Sequence, residues 1–276
     1  MKALFTIFFF ICCIGVTAQN YKAMTYNIRL DVKTDGENAW DHRKEHLINQ
    51  VLFLHPDILG IQEGLPHQVK HLKKKLNGFK AIGKGRNGGK KGEFSAIFYN
   101  SKKLKVLEEA TFWLSETPEV FSTGWDAALP RICTYGKFRD KSTGKTFWIF
   151  NTHFDHIGKE ARSKSTQLIL QKIKSLTNKE DLVILMGDLN ATPQSNPIAI
   201  LGASMKDCAN EADITFGPES TFNGFNFHEP PKNRIDYIFV SKSKGIDIKK
   251  YAVLNNSLDG RFISDHFPVF IEFKIK

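Results

Sequence analysis

The sequence predicts an α/β sandwich, two mixed or antiparallel sheets with helices on their outer faces. Three observations carry that prediction. Short apolar or alternating runs recur at strand length, amphipathic segments with helical spacing stand between them, and Gly and Pro are scattered rather than gathered into a linker. The 276 residues are 41% hydrophobic and 25% charged with 23 Phe, which supplies a core for one large domain and excludes a disordered chain. No internal repeat interrupts the series.

Taken in order, the first element is not part of the domain. Lys2, the apolar run 4–16 and the small residues Val16-Thr17-Ala18 have the layout of a secretory signal. The run is too short to cross a bilayer, which takes roughly 20 apolar residues. Residues 1–18 are therefore expected to be removed, leaving 19–276 as one mature domain, secreted or periplasmic, monomeric and without a stable membrane span. Cleavage there leaves Cys133 and Cys208, too few for a disulfide framework and expected to be buried and unpaired.

Strands come next, and each ends on a polar group. The runs 21–26, 57–62, 146–152 and 181–186 stop at Asn27, Glu63, His153 and Gly187-Asp188. Two later strands show the reverse order: Arg234-Ile235-Asp236 precedes 237–240, and Ser264-Asp265-His266 precedes 267–273. Further strands are predicted at 94–99, 104–112 and 132–138, after a glycine-rich loop at 83–92. Helices are predicted over 41–55, 66–76 and 160–176 from leucine, isoleucine and valine at helical spacing. In a mixed sheet, strands running one way end where those running the other way begin, so all six polar clusters are expected at one rim.

Those clusters suit one kind of chemistry. Glu63, Asp188, Asp236 and Asp265 are more carboxylates than acid–base work needs, and they would repel one another without a cation. An oxygen-rich set with no cysteine favours Mg²⁺, with Mn²⁺ or Ca²⁺ as alternatives, over Zn²⁺. Phosphate esters need charge neutralised and a water deprotonated. Asp188 can take the water's proton, while Asn190, two residues on and on the same side of the strand end, holds that water or a phosphate oxygen. His153 and His266 are candidate donors to phosphoryl oxygens, with Asp236 fixing the His266 tautomer.

Several features stay open between two readings. Asp155, His156 and Arg162 are candidates for binding a second phosphate or a sugar, or else a hydrogen-bonded loop and helix start capped by Asp155. The segment 83–93 lacks the phosphate-loop pattern because Gly89 stands where lysine is required, leaving a mobile hairpin or a grip on polyanions. Trp113, Trp125 and the phenylalanines of 222–227 form either an aromatic wall over the site or, for Trp113 above all, core. A net charge of +10 suggests polyanionic partners or simply a lysine-rich surface.

Asn27 in MTYNIRL, Glu63 in GIQEG, NTHFDH at 151–156, GDLN at 187–190, RIDYIF around Asp236 and SDHFPV around Asp265-His266 together resemble the endonuclease/exonuclease/phosphatase superfamily. The segment AWDHRK, with Trp40 and Arg43, is similar to a deadenylase-like branch in which a Trp-x-x-Arg precedes the first helix. The resemblance implies a four-layered α/β sandwich. It also implies Glu63 as principal metal ligand with Asn27 and Asp265 near the ion, Asp188 and Asn190 on the water, and His266, Asp236 and His153 around the phosphate. Nuclease members often carry a tyrosine near the position of His153, so an abasic-site repair role is disfavoured. The expected function is metal-dependent hydrolysis of a phosphodiester or phosphomonoester, the substrate being nucleic acid, nucleotide, phospholipid or sugar phosphate. The alternative is a non-catalytic binding protein for phosphorylated ligands on the same scaffold.

Overall fold

A computed structural model describes residues 19–243 and 245–275. The segment 1–18, read above as an export signal, lies outside the described residues. The chain begins β1 (Asn20–Asn27), a 3-10 turn (Lys33–Asn38), α1 (Trp40–Leu54), β2 (Ile58–Gln62), α2 (Pro66–Lys75), β3 (Phe79–Ile82) and β4 (Ile97–Asn100). It continues through β5 (Leu104–Trp113), β6 (Ile132–Asp140), β7 (Thr146–His153), α3 (Lys159–Leu176), β8 (Val183–Asp188) and α4 (Asn196–Ser204). Then follow β9 (Met205–Asp207), α5 (Cys208–Glu211), β10 (Ile214–Phe216), β11 (Asp236–Ser241) and β12 (Ile246–Val253). A small pair, β13 (Ser257–Leu258) and β14 (Arg261–Phe262), precedes β15 (Val269–Ile275).

These strands form two large mixed sheets, in the orders β10-β12-β15-β1-β2-β4-β3 and β5-β6-β7-β8-β11-β9. In each sheet one parallel pair is joined through a helix, β1 with β2 through α1 and β7 with β8 through α3, and the first sheet holds a second parallel pair, β10 with β12. Three apolar clusters show why four layers result. Alternation along each strand sends one set of side chains inward and the other outward. Tyr21 and Ala23 of β1 meet Phe147, Ile149, Ile184 and Met186 between the sheets. Met24 and Tyr26 point the other way, onto Leu47 and Val51 of α1 and Leu72 of α2. Trp148, Phe150 and Leu185 pack likewise against Ile169 of α3 and Leu201 of α4. The sandwich is thus four-layered, as the sequence predicts.

Some boundaries move, for local reasons. Trp40 and Arg43 lie in the first turns of α1 rather than before it. Arg43 is buried and donates to the carbonyls of Arg29 and Asn38, which ties down the turn after β1. The last strand starts at Val269 because Pro268 has no N–H to give a ladder. β8 runs on to Asp188, pairing it with His153 on one side and Asp236 on the other. Cys133 and Cys208 are buried free thiols in different apolar clusters. No helix among the described residues is long and apolar enough to cross a membrane.

Candidate active site

The register places three of the expected side chains on adjacent strands at one rim, in the order His153, Asp188, Asp236. Asn27 ends β1 beside Gln62, and Glu63 follows at once. Three residues at this rim adopt left-handed backbone: Arg29 (φ 55), Glu63 (φ 62) and Asn190 (φ 46). Such conformations are uncommon for residues with a Cβ and persist where the surrounding structure holds them. Gly187 is required where it stands, since a Cβ would lie 2.0 Å from the Thr152 carbonyl oxygen. That close approach brings Asp188 level with His153.

His266 lies between two buried carboxylates. Its Nδ1 is 2.9 Å from Asp236 Oδ2 and its Nε2 is 3.8 Å from Asp188 Oδ2. Burial alone would lower the imidazolium, but the charges of Asp236 and Asp188 raise it well above the ordinary histidine range. Burial and the Asp236 charge push Asp188 up to about 7. Asp188 also accepts from the Asn27 amide at 2.9 Å and the Asn190 backbone N–H at 2.9 Å. The ligand-type atoms of Asp188, Asp236 and His266 lie within 4.8 Å of one another. Because both ring nitrogens of His266 face carboxylates, this cluster is arranged to share protons.

Glu63 and Asp265 line an open cavity of about 690 Å³ together with Asp188, Asn190 and His266. Burial raises the Asp265 carboxyl, with the Glu63 charge adding to it, while Arg29 stands 3.7 Å away as a counter-charge. Glu63 accepts from Asn27 Nδ2 at 3.1 Å and from the Leu30 N–H at 2.9 Å. Two carboxylates facing one space form a hard, oxygen-rich donor set, and they fit a divalent cation. Asn27, expected as a third ligand, turns its Nδ2 toward the carboxylates, while its Oδ1 accepts from the Arg29 N–H at 3.0 Å. Here it bridges Glu63 to Asp188.

His153 does not line the cavity. Its Nε2 is 3.1 Å from Asn190 Nδ2, whose amide also donates to the Phe154 carbonyl at 3.0 Å. With both amide hydrogens so engaged, Asn190 keeps Oδ1 for a water. Burial, then the charges of Arg131 and His266, hold His153 well below its ordinary value. A neutral ring that accepts from Asn190 positions that amide, a role different from the phosphate donor expected above.

Of Asp155, His156 and Arg162, the structure brings His156 to the cavity, which Phe222 of the expected aromatic wall also lines. Asp155 is buried, accepting from the N–H groups of Ile157 (2.9 Å) and Gly158 (2.8 Å) and from Arg131 Nε (3.3 Å). Burial would raise its carboxyl, but these donors hold it at about 2. Arg162 donates to the Asp155 carbonyl. Both therefore belong to the hydrogen-bonded loop and helix start. Sequence reasoning did not single out Arg29, Arg86, Glu93 or Arg131, all on the cavity wall. The signal for Arg29 and Arg131 was present, since both flank strand ends as the named residues do. Arg86 and Glu93 sit on the glycine-rich hairpin, which is pinned by Trp113 donating to the Arg86 carbonyl at 2.8 Å. Phe222 meets His266 edge-on at 5.0 Å.

Two helix-backed sheets with acids, amides and imidazoles converging at one rim define a class, the phosphoester-hydrolysing α/β sandwiches. Residues 24–266 fit the profile described as the Endonuclease/Exonuclease/phosphatase family, and the chain belongs to that family, whose members are phosphoester hydrolases. The chain is similar to a solved family protein from Bacteroides thetaiotaomicron, with 38% identity, a TM-score of 0.89 and coverage of 94% of this chain and 99% of that one. It is also similar to the mannosyl-6-phosphatase of Bacteroides thetaiotaomicron, with 39% identity, a TM-score of 0.87 and coverage of 92% and 99%. The human Nocturnin catalytic domain, at 20% identity and a TM-score of 0.73 over 93% and 94%, shares the fold. Two further relatives are an uncharacterized protein of Acanthamoeba polyphaga mimivirus (33% identical over 55% of this chain) and Protein angel of Drosophila melanogaster (29% over 66%). The matches span 59% and 51% of those proteins' own length.

Proposed function

We propose that the protein is an exported, divalent-metal-dependent phosphomonoesterase that releases phosphate from a phosphorylated sugar. One observation carries the reading: a buried proton network, Asp188–His266–Asp236, opens onto the same cavity that Glu63 and Asp265 line. The 39% identity with a mannosyl-6-phosphatase over nearly its whole length supports the monoester and the sugar.

Glu63 and Asp265 would hold the cation, Mg²⁺ by donor chemistry and Mn²⁺ or Ca²⁺ by the same oxygen set. When bound, it supplies Lewis-acid neutralisation of phosphate oxygens. The remaining work falls to the chain. Asn190 Oδ1 accepts a hydrogen from the attacking water, and Asp188 takes the proton that water loses on attack. A carboxyl pushed toward neutral pH is suited to that exchange. His266, kept protonated by Asp236, presents its Nε2–H to a phosphoryl oxygen as charge builds. Arg29 adds a fixed positive charge beside Asp265.

The experiment is phosphate release by the purified 19–276 protein with Mg²⁺ or with EDTA, on a hexose 6-phosphate, a nucleotide, a phospholipid and single-stranded nucleic acid. Mg²⁺-dependent release from the hexose phosphate is expected to exceed the others, and faster cleavage of nucleic acid would overturn the monoesterase reading. For export, N-terminal sequencing of the native protein is expected to begin near Gln19. A sequence beginning at Met1 removes that part.

A further inference from the structure

We propose that Arg86 and Glu93, on the glycine-rich hairpin, with Arg131 beside them, form a subsite that reads the hydroxyl groups of a polyol leaving group. The proposal rests on the phosphomonoesterase reading and deepens it.

Position comes first. Arg86, Glu93 and Arg131 line the same cavity as Glu63 and Asp188. The Phe94 N–H donates to the Gly64 carbonyl at 2.9 Å, so Glu93 stands one residue from a bridge to the loop that carries Glu63. A phosphate at the carboxylates would thus have the hairpin as its neighbouring wall. That wall is rigid for a loop. Arg86 N–H donates to the Glu93 carbonyl at 2.9 Å, Gly85 N–H to the Gly89 carbonyl at 2.9 Å, and the Trp113 indole to the Arg86 carbonyl at 2.8 Å. Groups held in place before binding lose little freedom when a ligand arrives.

Charge decides what kind of ligand. The chain carries +10 overall, yet each guanidinium on this wall already has a carboxylate. Arg86 grips Glu93 with two contacts, 2.6 and 2.9 Å, Arg131 lies 3.3 Å from Asp155, and Arg29 lies 2.9 Å from Asp35. A wall matched in this way offers little net attraction to a second phosphate or to a nucleic acid backbone, which selects unpaired cations. It is instead dense in hydrogen-bonding groups of both kinds. A guanidinium has five donors and a carboxylate about four acceptor positions, so a two-bond fork leaves three donors and two acceptors unspent. A hydroxyl gives one hydrogen bond and takes others, and neighbouring hydroxyls on a sugar match such an alternating surface. Only 14% and 12% of the two side chains are exposed, so the loss of a matching hydroxyl would leave polar groups poorly solvated.

The test compares leaving groups with and without hydroxyls on the same phosphate: a hexose 6-phosphate, glycerol 3-phosphate and p-nitrophenyl phosphate. It uses wild type, Glu93→Gln and Arg86→Lys, all with Mg²⁺. Both variants are expected to lower the ratio of kcat/KM for the hexose ester over the aryl ester by about tenfold or more, the scale of discrimination at a site built around hydroxyls. Glycerol 3-phosphate is expected to fall between them. Free hexose, as a competitive inhibitor of aryl ester hydrolysis, is expected to weaken by a similar factor, a reading independent of sugar turnover. Equal losses on all three esters with a lowered thermal midpoint would mean that the pair only staples the hairpin, and would overturn the proposal. An unchanged ratio in active variants overturns it also, while leaving the phosphomonoesterase reading intact. A wild type active on nucleic acid but on none of these esters removes both.

Discussion

The two sheets bring the same functional groups to the rim and give them different neighbours. From the first sheet and its loops come Glu63 and Asp265, which face the open cavity with Arg29 nearby. From the second come Asp188 and Asp236, each about 1% exposed and coupled to one histidine. Carboxylates open to a shared space are suited to a hard cation, whereas carboxylates packed around an imidazole are suited to moving and holding protons. The difference teaches that a carboxylate's role is set by what covers it. Asn27 joins the two halves, donating to Glu63 on one side and Asp188 on the other.

The largest expected effect breaks the open half. Glu63→Gln is expected to reduce turnover by roughly 10³-fold or more, the several kcal/mol that a bound cation supplies. The fold should persist, checked by circular dichroism, and the variant should lose the rise in thermal midpoint that Mg²⁺ gives the wild type. Full activity of Glu63→Gln in EDTA would end the assignment of a cation to this half.

The next effect tests the buried half. His266→Ala is expected to lower kcat by roughly 10²-fold with little change in KM, on the scale of a lost oxyanion-type donor. Asp236→Asn is expected to cost less, because the imidazole still samples the right orientation. The two losses should not add, since both act through one group. Additive losses, or losses explained by unfolding, would take the pair out of the mechanism.

Smaller effects separate cavity from scaffold. Asp155→Asn is expected to destabilise the protein by about 3 kcal/mol, the scale of a broken buried pair, while kcat changes far less. Thermal and urea unfolding beside the kinetics would decide this. Arg162→Ala is expected to cost about 1 kcal/mol of stability, one hydrogen bond to a carbonyl, with KM within about twofold of wild type. A KM shift of tenfold would return Arg162 to the substrate.

Much of this was legible in the chain. The strand ends at Asn27, Glu63, His153 and Asp188 stand out because apolar alternation stops there, and the motifs around them are local. What was not legible depends on which side chains the folded backbone turns toward one another, near or far in sequence. Nothing near His153 says that its ring takes the Asn190 amide, 37 residues on. Nothing in 83–93 says that Arg86 is matched by Glu93, because a run rich in lysine and glycine reads as a basic loop wherever it folds. The short α4 and the strand β12 also escaped notice, being brief or weakly patterned.

Sequence by itself determined the four layers, the rim and the residue types gathered there, because side-chain period and strand-end position are local properties of the chain. Only the tertiary structure decided which carboxylates pack against His266 and which face the cavity beside Arg29. Burial and charge pairing arise when separate segments close over one another, as His266 does on Asp236 across 30 positions and Asn27 on Asp188 across 161.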